Sequence, residues 1–181
     1  IGSYKFSVEG FVPDKIRVNV KPDKEKSSPG GKISLGVAAE FLFGAPAAEM
    51  RYEADIQLKH RPFYSNAFKG YVFSNSSIKN SEIANTFIEG QLDDKGKVKI
   101  DYTIPEEITS NGIITGTAYV SVFDLTGRTV TRTAEFEVYP KDYFIGIKST
   151  DYYYGVNENI NINLVAVDKN EKEIANFKAI A

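Results

Sequence analysis

A lone histidine close to a serine is the minimum that nucleophilic acyl chemistry asks for, and His60, followed by Arg61-Pro62 and Ser65, meets that minimum. A catalytic triad also needs a carboxylate to orient the imidazole and a strained turn to present the hydroxyl. No Gly-x-Ser-x-Gly elbow occurs in the chain. His60 is therefore read as a surface or loop histidine. Adjacent carboxylates at Asp93-Asp94 and Glu106-Glu107 could in principle divide acid and base roles in glycoside hydrolysis. Neighbours on a turn point apart, however, and do not converge on one bond.

Metal and phosphate chemistry fare no better. The sequence has one histidine and no cysteine, which leaves only carboxylate ligands and removes disulfides, thiolate sites and thiol nucleophiles. Asp168-Lys169-Asn170-Glu171-Lys172-Glu173 lacks the glycine and terminal glutamate spacing of a calcium loop and reads as a hairpin turn. Gly90 to Lys97 superficially resembles a phosphate loop, but Val98 stands where a magnesium-coordinating hydroxyl belongs and a strand follows instead of a helix. Asn75-Ser76-Ser77 fits the glycosylation triplet, a pattern that polar loops produce by chance. No catalytic, metal-binding or cofactor-binding residue is expected.

Net charge argues in the same direction. Twenty-two basic and 24 acidic residues give −2, no field that would gather nucleic acid or an anionic membrane. The mixed-sign run Lys21-Pro22-Asp23-Lys24-Glu25-Lys26 carries no aromatic to stack a base and reads as an exposed loop. No apolar stretch approaches the ~20 residues needed to span a bilayer, because Glu40 and Gly44 interrupt the richest one. Two aromatic groups are what is left: Phe63, Tyr64, Phe68, Tyr71 and Phe73, and then Tyr152-Tyr153-Tyr154. They suit either a platform for sugar or peptide, or packing in the core and between domains.

The elements that must position these residues are strands. Hydrophobic residues alternate at Ile16, Val18, Val20; at Ile33, Leu35, Val37, Ala39, Phe41; at Tyr52, Ala54, Ile56, Leu58; and at Val98, Ile100, Tyr102, Ile104. A period of two places each set on one sheet face. Ala118, Val120 and Val122 lead through Asp124-Leu125-Thr126-Gly127 to Val130, Ala134, Phe136 and Val138, a long hairpin. Asp93-Asp94-Lys95-Gly96 carries the same signal between Phe87–Leu92 and Lys97–Ile104, and predicts a second hairpin of firm register. Ser27 to Gly31 reads as a polar loop. Pro105 to Gly112 holds the single plausible helical turn.

The pattern restarts after Tyr139-Pro140-Lys141-Asp142. Ile160, Ile162, Leu164 and Ala166 then form a strand face, and Ile174 is expected to begin the next strand. Only about 40 residues follow the break, too few for an independent core. Tyr4, Phe6 and Val8 look like the closing strand of a preceding domain. The expected organisation is a last strand and linker over residues 1–12, a β-sandwich over 13–139, and the truncated start of a following domain over 140–181. The chain begins at Ile1 without methionine or a signal-like pattern, so an internal piece of a longer protein is expected, with any targeting signal upstream.

Two stretches exceed general β patterning. Val8-Glu9-Gly10-Phe11-Val12-Pro13-Asp14-Lys15-Ile16-Arg17-Val18, followed by Ala38 to Ala48 with its Phe41-Leu42-Phe43-Gly44-Ala45-Pro46-Ala47-Ala48 strand end, resembles the macroglobulin-like domains of bacterial alpha-2-macroglobulins in both order and spacing. Tyr143 to Lys148, through Tyr152-Tyr153, to Leu164–Asp168 resembles the opening of the next such domain. The resemblance implies an all-β, antiparallel macroglobulin-like sandwich of the fibronectin or immunoglobulin kind, with roughly seven strands. It also implies a non-catalytic structural role in a broad-spectrum protease trap of the cell envelope, periplasmic or on the extracellular face, with a parent anchored as a lipoprotein. Partners would be neighbouring domains of the same chain and, through the whole parent, target proteases, with no nucleic acid and no membrane insertion by this segment. A thioester of the kind found in that family needs a cysteine, which this chain lacks.

Candidate interdomain residues follow from both readings. Pro13 fixes φ at a domain crossing next to Phe11, and Phe43 and Pro46 flank a strand end of small residues. Tyr64, Tyr71, Tyr152 and Tyr154 supply rings. The rival is an independent immunoglobulin-like module that binds carbohydrate or protein through those same tyrosines. Solvent exposure of the rings distinguishes the two.

Overall fold

Alternation of apolar and polar residues is satisfied by strands that each bury one face, and the computed structural model builds ten of them over the described residues, 15–73, 82–150, 153, 155–156 and 159–178. They are β1 (Ile16–Pro22), β2 (Lys26–Ser27), β3 (Lys32–Phe41), β4 (Arg51–Arg61), β5 (Glu82–Gln91), β6 (Lys97–Thr103), β7 (Ile113–Phe123), β8 (Thr129–Val138), β9 (Tyr143–Ser149) and β10 (Ile162–Asp168). Among the described residues there is no helix, so none is long and apolar enough to cross a membrane. Pro105 to Gly112 forms turns and bends only, with Ile108 and Ser110 buried. The preceding-domain strand, Phe11, Pro13, the glycosylation triplet, Tyr152 and Tyr154 lie outside the described residues.

Two sheets face each other. One has three strands in the order β1-β3-β6, the other five in the order β2-β8-β7-β4-β5. All pairings within them are antiparallel except β2, which runs parallel to β8 through Lys26↔Glu137 and Ser27↔Val138. The inward rows are those the alternation picks out: Ile33, Leu35, Ala54, Ile56, Leu58, Val120 and Val122 are all fully buried and join one core. Burying such a side chain contributes about 1.5–3 kcal/mol, which is what holds the sheets face to face.

The turn at Asp93–Gly96 corrects an expectation. It closes as a tight turn, with the Asp93 amide donating to the Lys97 carbonyl at 2.8 Å and Gly96 at φ 71°. The strands it joins do not pair with each other: β5 adds to β4 and β6 adds to β3, in opposite sheets. The chain crosses from one layer to the other because β4 and β3 offer free edges on either side of the core, and pairing with them buries Leu92 and Ile100 between the layers. The β7–β8 hairpin, by contrast, pairs in continuous register from Phe123↔Thr129 to Ile114↔Val138.

Beyond Tyr139, β9 and β10 form a separate antiparallel pair, Leu164 opposite Ile147 and Ala166 opposite Ile145. Ile174 starts no strand. Its amide bonds the Ala166 carbonyl at 2.8 Å, and Glu173 makes an isolated bridge to Val167, before the chain turns again. On the other edge of the pair, Val72 exchanges both backbone hydrogen bonds with Ile147, at 2.8 and 2.9 Å.

One close contact in the core is sensitive to a single methyl group. Gly116 of β7 stands opposite Phe136 of β8, and a Cβ at position 116 would overlap the Phe136 ring, itself 2% exposed. Gly116→Ala should cost about 1–3 kcal/mol by overpacking and Phe136→Ala about 3–5 kcal/mol by cavity formation, both read from urea denaturation. In a Phe136→Leu background the Gly116→Ala penalty should shrink. Equal penalties in the two backgrounds would show that the ring is not what the new methyl meets.

Candidate functional site

The residues with chemical capacity gather between the sandwich and the β9–β10 pair. After β4, the segment from Pro62 to Phe73 leaves the sheet and carries five aromatic rings. Phe63 and Phe73 are buried, and Phe68 and Tyr71 pack against them, in a second core completed by Ile113, Tyr139, Phe144, Val165 and Val167. Phe63 and Phe144 stack with centroids 4.0 Å apart and planes 1° from parallel, while Phe73 meets Phe63 edge-on at 5.2 Å. Aromatic pairs in these geometries add roughly 0.5–1.5 kcal/mol beyond the area they bury. Gly146 permits the approach: a Cβ there would stand 2.7 Å from the Phe73 ring.

The β10 face inside this second core is Val165 and Val167, not the Leu164 row that alternation brings forward. Ile160, Ile162 and Leu164 are 57%, 54% and 44% exposed; of that row, Ala166 alone is buried. Tyr143, Ile145 and Ile147 on β9 are likewise exposed, so the outer face of the pair is apolar and open.

A polar clasp lies beside the aromatic core. The turn after β10 is built like two others in the chain: an aspartate accepts from the amides two and four residues on, at Asp93, Asp124 and Asp168. The fourth residue of each turn has positive φ. It is Gly96 at 71°, Gly127 at 81° and, in the third turn, Glu171 at 61°. A side chain in that conformation costs of order 1 kcal/mol where glycine costs nothing. The Glu171 carboxylate offsets this by accepting, at Oε2, from Ser65 Oγ and the Asn66 amide at 2.8 Å and from the Ala67 amide at 3.0 Å. Those bonds, led by the Ala67 amide and then the Ser65 hydroxyl, hold its carboxyl below the usual range.

A cleft of about 530 Å³ opens next to the clasp, between Arg61, Tyr64, Glu137, Tyr139, Lys169 and Glu171. Arg61 pairs with Glu137, and Glu137 accepts from the Tyr139 hydroxyl at 2.7 Å. Burial, then the Glu137 hydrogen bond, pushes the Tyr139 hydroxyl well above the usual tyrosine range. The ammonium of Lys26 sits 5.4 Å from the same ring.

His60 lies within β4, and its Nδ1 meets Ser110 Oγ at 3.0 Å instead of Ser65. Ser110 also accepts from the Gly112 amide, and no carboxylate is bonded to the imidazole among the described residues. The pair fastens the 105–112 turns to the sheet. No cluster of three or more potential metal ligands occurs among the described residues.

Of the candidate residues, Tyr71 is half-buried in the second core and Tyr64 is 74% exposed at the mouth of the cleft. Phe43 is 80% exposed and stacks on Phe41 with centroids 5.2 Å apart, while Pro46 bridges Glu40. Phe43 and Pro46 lie at the β3–β4 end, away from the junction that holds Tyr64 and Tyr71. Glu171 and Ser110 escaped sequence reasoning; the positive φ that sets Glu171 apart becomes suggestive only when the three aspartate turns are aligned.

Comparison with known proteins places this architecture. Residues 14–140 match the model of the bacterial alpha-2-macroglobulin MG5 domain. An alpha-2-macroglobulin of Escherichia coli K12 is 26% identical over 145 residues, 80% of this chain and 9% of that protein. One of Xylella fastidiosa Temecula1 is 24% identical over 177 residues, 95% of this chain and 11% of that protein. In fold, the chain resembles E. coli alpha-2-macroglobulin activated by porcine elastase, with TM-score 0.69 and 22% identity over 89% of this chain and 15% of that one. The native conformation of the E. coli protein gives TM-score 0.66 and 22% identity over 93% of this chain and 12% of that one.

The clasp makes a prediction whose sign is diagnostic. If position 171 were only a turn residue, Glu171→Gly would relieve strain and stabilise the chain. The expected result is the reverse: faster hydrogen exchange at Asn66 and Ala67 and a lower melting temperature, with Glu171→Gln intermediate. Because the folded carboxyl titrates lower than in the unfolded chain, its contribution is complete above the ordinary glutamate value of about 4.3 and fades as pH falls through the folded value. Exchange at Asn66 and Ala67, corrected for intrinsic rate, should accelerate over that acidic window in the wild type and not in Glu171→Gln.

Proposed function

The chain belongs to the bacterial alpha-2-macroglobulin family, with its MG5 domain at residues 14–140, and from that premise we propose that it is a non-catalytic structural module of a broad-spectrum protease trap in the cell envelope. It spans about a tenth of the length of its curated relatives, 9% and 11% in the two compared. Capture of a protease is then a property of the parent, and the work of this module is to hold neighbouring domains at a fixed relation. The parent faces the periplasm or the exterior, anchored as a lipoprotein.

The observation that carries this reading is the two-faced β9–β10 pair. Its inner face interlocks with the 62–73 segment through Phe63, Phe144, Val165 and Val167, while Tyr143, Ile145, Ile147, Ile162 and Leu164 face water. A two-stranded ribbon with an open apolar face is a piece of a larger sheet domain, because two strands alone are marginal in water. Residues 140–181 serve as the opening of the following macroglobulin-like domain, residues 13–139 as the sandwich, and 1–12 as the end of the preceding domain. Phe43 and Pro46 at the far end of the sandwich, and Tyr64 and Tyr71 at this junction, are the contacts of the two interfaces. A sugar platform is disfavoured: Phe63 and Phe73 are buried and Tyr71 is half-buried, which leaves Tyr64 as the open ring of that group among the described residues.

Two measurements test the proposal. Extending the chain through the complete following domain should raise its melting temperature and slow exchange at Ile145 and Leu164, and the Ile145→Asp/Leu164→Asp pair should abolish that gain while scarcely affecting the 181-residue chain. Deleting everything after Pro140 without loss of stability in the sandwich strands would remove the structural argument. The full-length parent should inhibit trypsin where the 181-residue chain does not. Inhibition by the excised chain would relocate the activity to this module.

A further inference from the structure

The cleft at the junction holds charges of both signs, and the two signs are not equally engaged. Its carboxylates are satisfied from within: Glu171 accepts three bonds from the Ser65–Ala67 turn, and Glu137 gives one oxygen to Arg61 and the other to the Tyr139 hydroxyl. Its cations are not. Lys26 and Lys169 are exposed and join no ion pair among the described residues, and the Arg61 side chain, 46% exposed, meets Glu137 through a single nitrogen. Lys26 is steadied over the Tyr139 ring, and Tyr64, 74% exposed, sets an open ring at the mouth.

These cations stand partway along a longer groove. A second depression of about 230 Å³, walled by Lys24, Ser28 and Asp142, shares Lys26, Tyr139 and Lys169 with the first. Asp142 is then the one carboxylate lining either depression that has no partner among the described residues, and it faces Lys24, Lys26 and Lys169. A third depression, of about 650 Å³, borders the same Lys26 and Arg61 but adds Glu25 and Glu135. A negatively charged ligand is therefore drawn along the line from Tyr64, past Lys169 and Lys26, to Lys24, and turned away from the Glu25 and Glu135 side. One wall of that line belongs to the sandwich, through Lys26, Arg61 and Tyr64; the other belongs to the turn after β10, through Lys169 and Glu171.

We propose that this groove is a docking site for an extended acidic segment of the parent chain outside these 181 residues, with its carboxylates on Lys26 and Lys169 and a flanking apolar side chain on Tyr64. The assignment of the occupant rests on the scaffold reading above; the charge of the groove does not. Exposed ammonium–carboxylate pairs are weak, so a freely diffusing peptide fills such a groove only when concentrated. A segment tethered in the same chain meets it at an effective concentration of about millimolar, which favours a same-chain occupant over a separate protein. Because the groove has a wall on each unit, a segment lying in it fastens the β10 turn to the sandwich alongside the Glu171 clasp. The relation between the two units then depends on a third part of the chain.

The test separates the charge of the groove from its occupant. Acetyl-Leu-Glu-Glu-Leu-amide titrated into the 181-residue chain should move the NMR amide signals of Lys26, Tyr64 and Lys169 and slow hydrogen exchange at Asn66 and Ala67, while acetyl-Leu-Gln-Gln-Leu-amide should do neither. The Lys26→Gln/Lys169→Gln pair should weaken the response by roughly tenfold, and Tyr64→Ala should weaken it in part. Both lysines are exposed, and an unchanged unfolding curve confirms that a lost response is not lost structure. No response to the glutamate peptide, an equal response to the glutamine peptide, a response that survives the double substitution, or an equal response to inorganic phosphate would overturn the groove and leave the scaffold reading standing. In the full-length parent the tethered segment should already fill the groove, so the glutamate peptide should bind at least tenfold more weakly there than to the 181-residue chain. Equal binding to both would rule out the same-chain occupant.

Discussion

Two sheets share a core only when each strand turns residues of one parity inward, and in this chain the parity survives every crossing between layers. Ile16, Leu35, Ile56, Ile100, Val120 and Phe136 come from six strands in two sheets and meet in one cluster. A one-residue slip in any strand would exchange a row of buried aliphatics for a row of charges. The turns therefore do more than reverse direction. Each aspartate-anchored turn fixes the residue count between two rows, so that Leu92, just past the end of β5, and Ile100 of β6 both point inward although the turn between them joins strands in different sheets. The outer face is free of that constraint, which is why Arg51, Asp55, Phe87 and Tyr119 can vary in chemistry without disturbing the core.

The rows were legible in the sequence because alternation is a local property. The partner of each row was not. Asp93-Asp94-Lys95-Gly96 reads as a hairpin, and its local geometry is that of a hairpin turn; which strand lies beside β5 depends on the edge that β4 leaves open, a fact established some forty residues away and invisible in a short window. The same limit explains β10. Both of its faces are apolar over Leu164–Val167, so periodicity could not say which one would meet Phe63 and Phe144.

The junction was less legible than the sandwich. Aromatic content marked Phe63 to Phe73, but Glu171 looked like one more charge in a polar turn, and its partners are separated from it by 104 to 106 residues. His60 invited comparison with the nearest serine in sequence, whereas the serine that meets it belongs to the 105–112 segment. Family resemblance, carried by motifs around Phe11-Val12-Pro13 and Phe41 to Ala48, identified the lineage without identifying either contact, since neither motif contains a residue of the clasp or of the His60–Ser110 pair.

The backbone exchange between Val72 and Ile147 has a consequence for how this architecture is put together. It is a single bridged pair, matched on the far edge of β10 by Val167 and Glu173. The tie is made by main-chain groups, so it couples the 62–73 segment to β9 independently of the aromatic rings and persists through any side-chain change at Val72 or Ile147 other than proline.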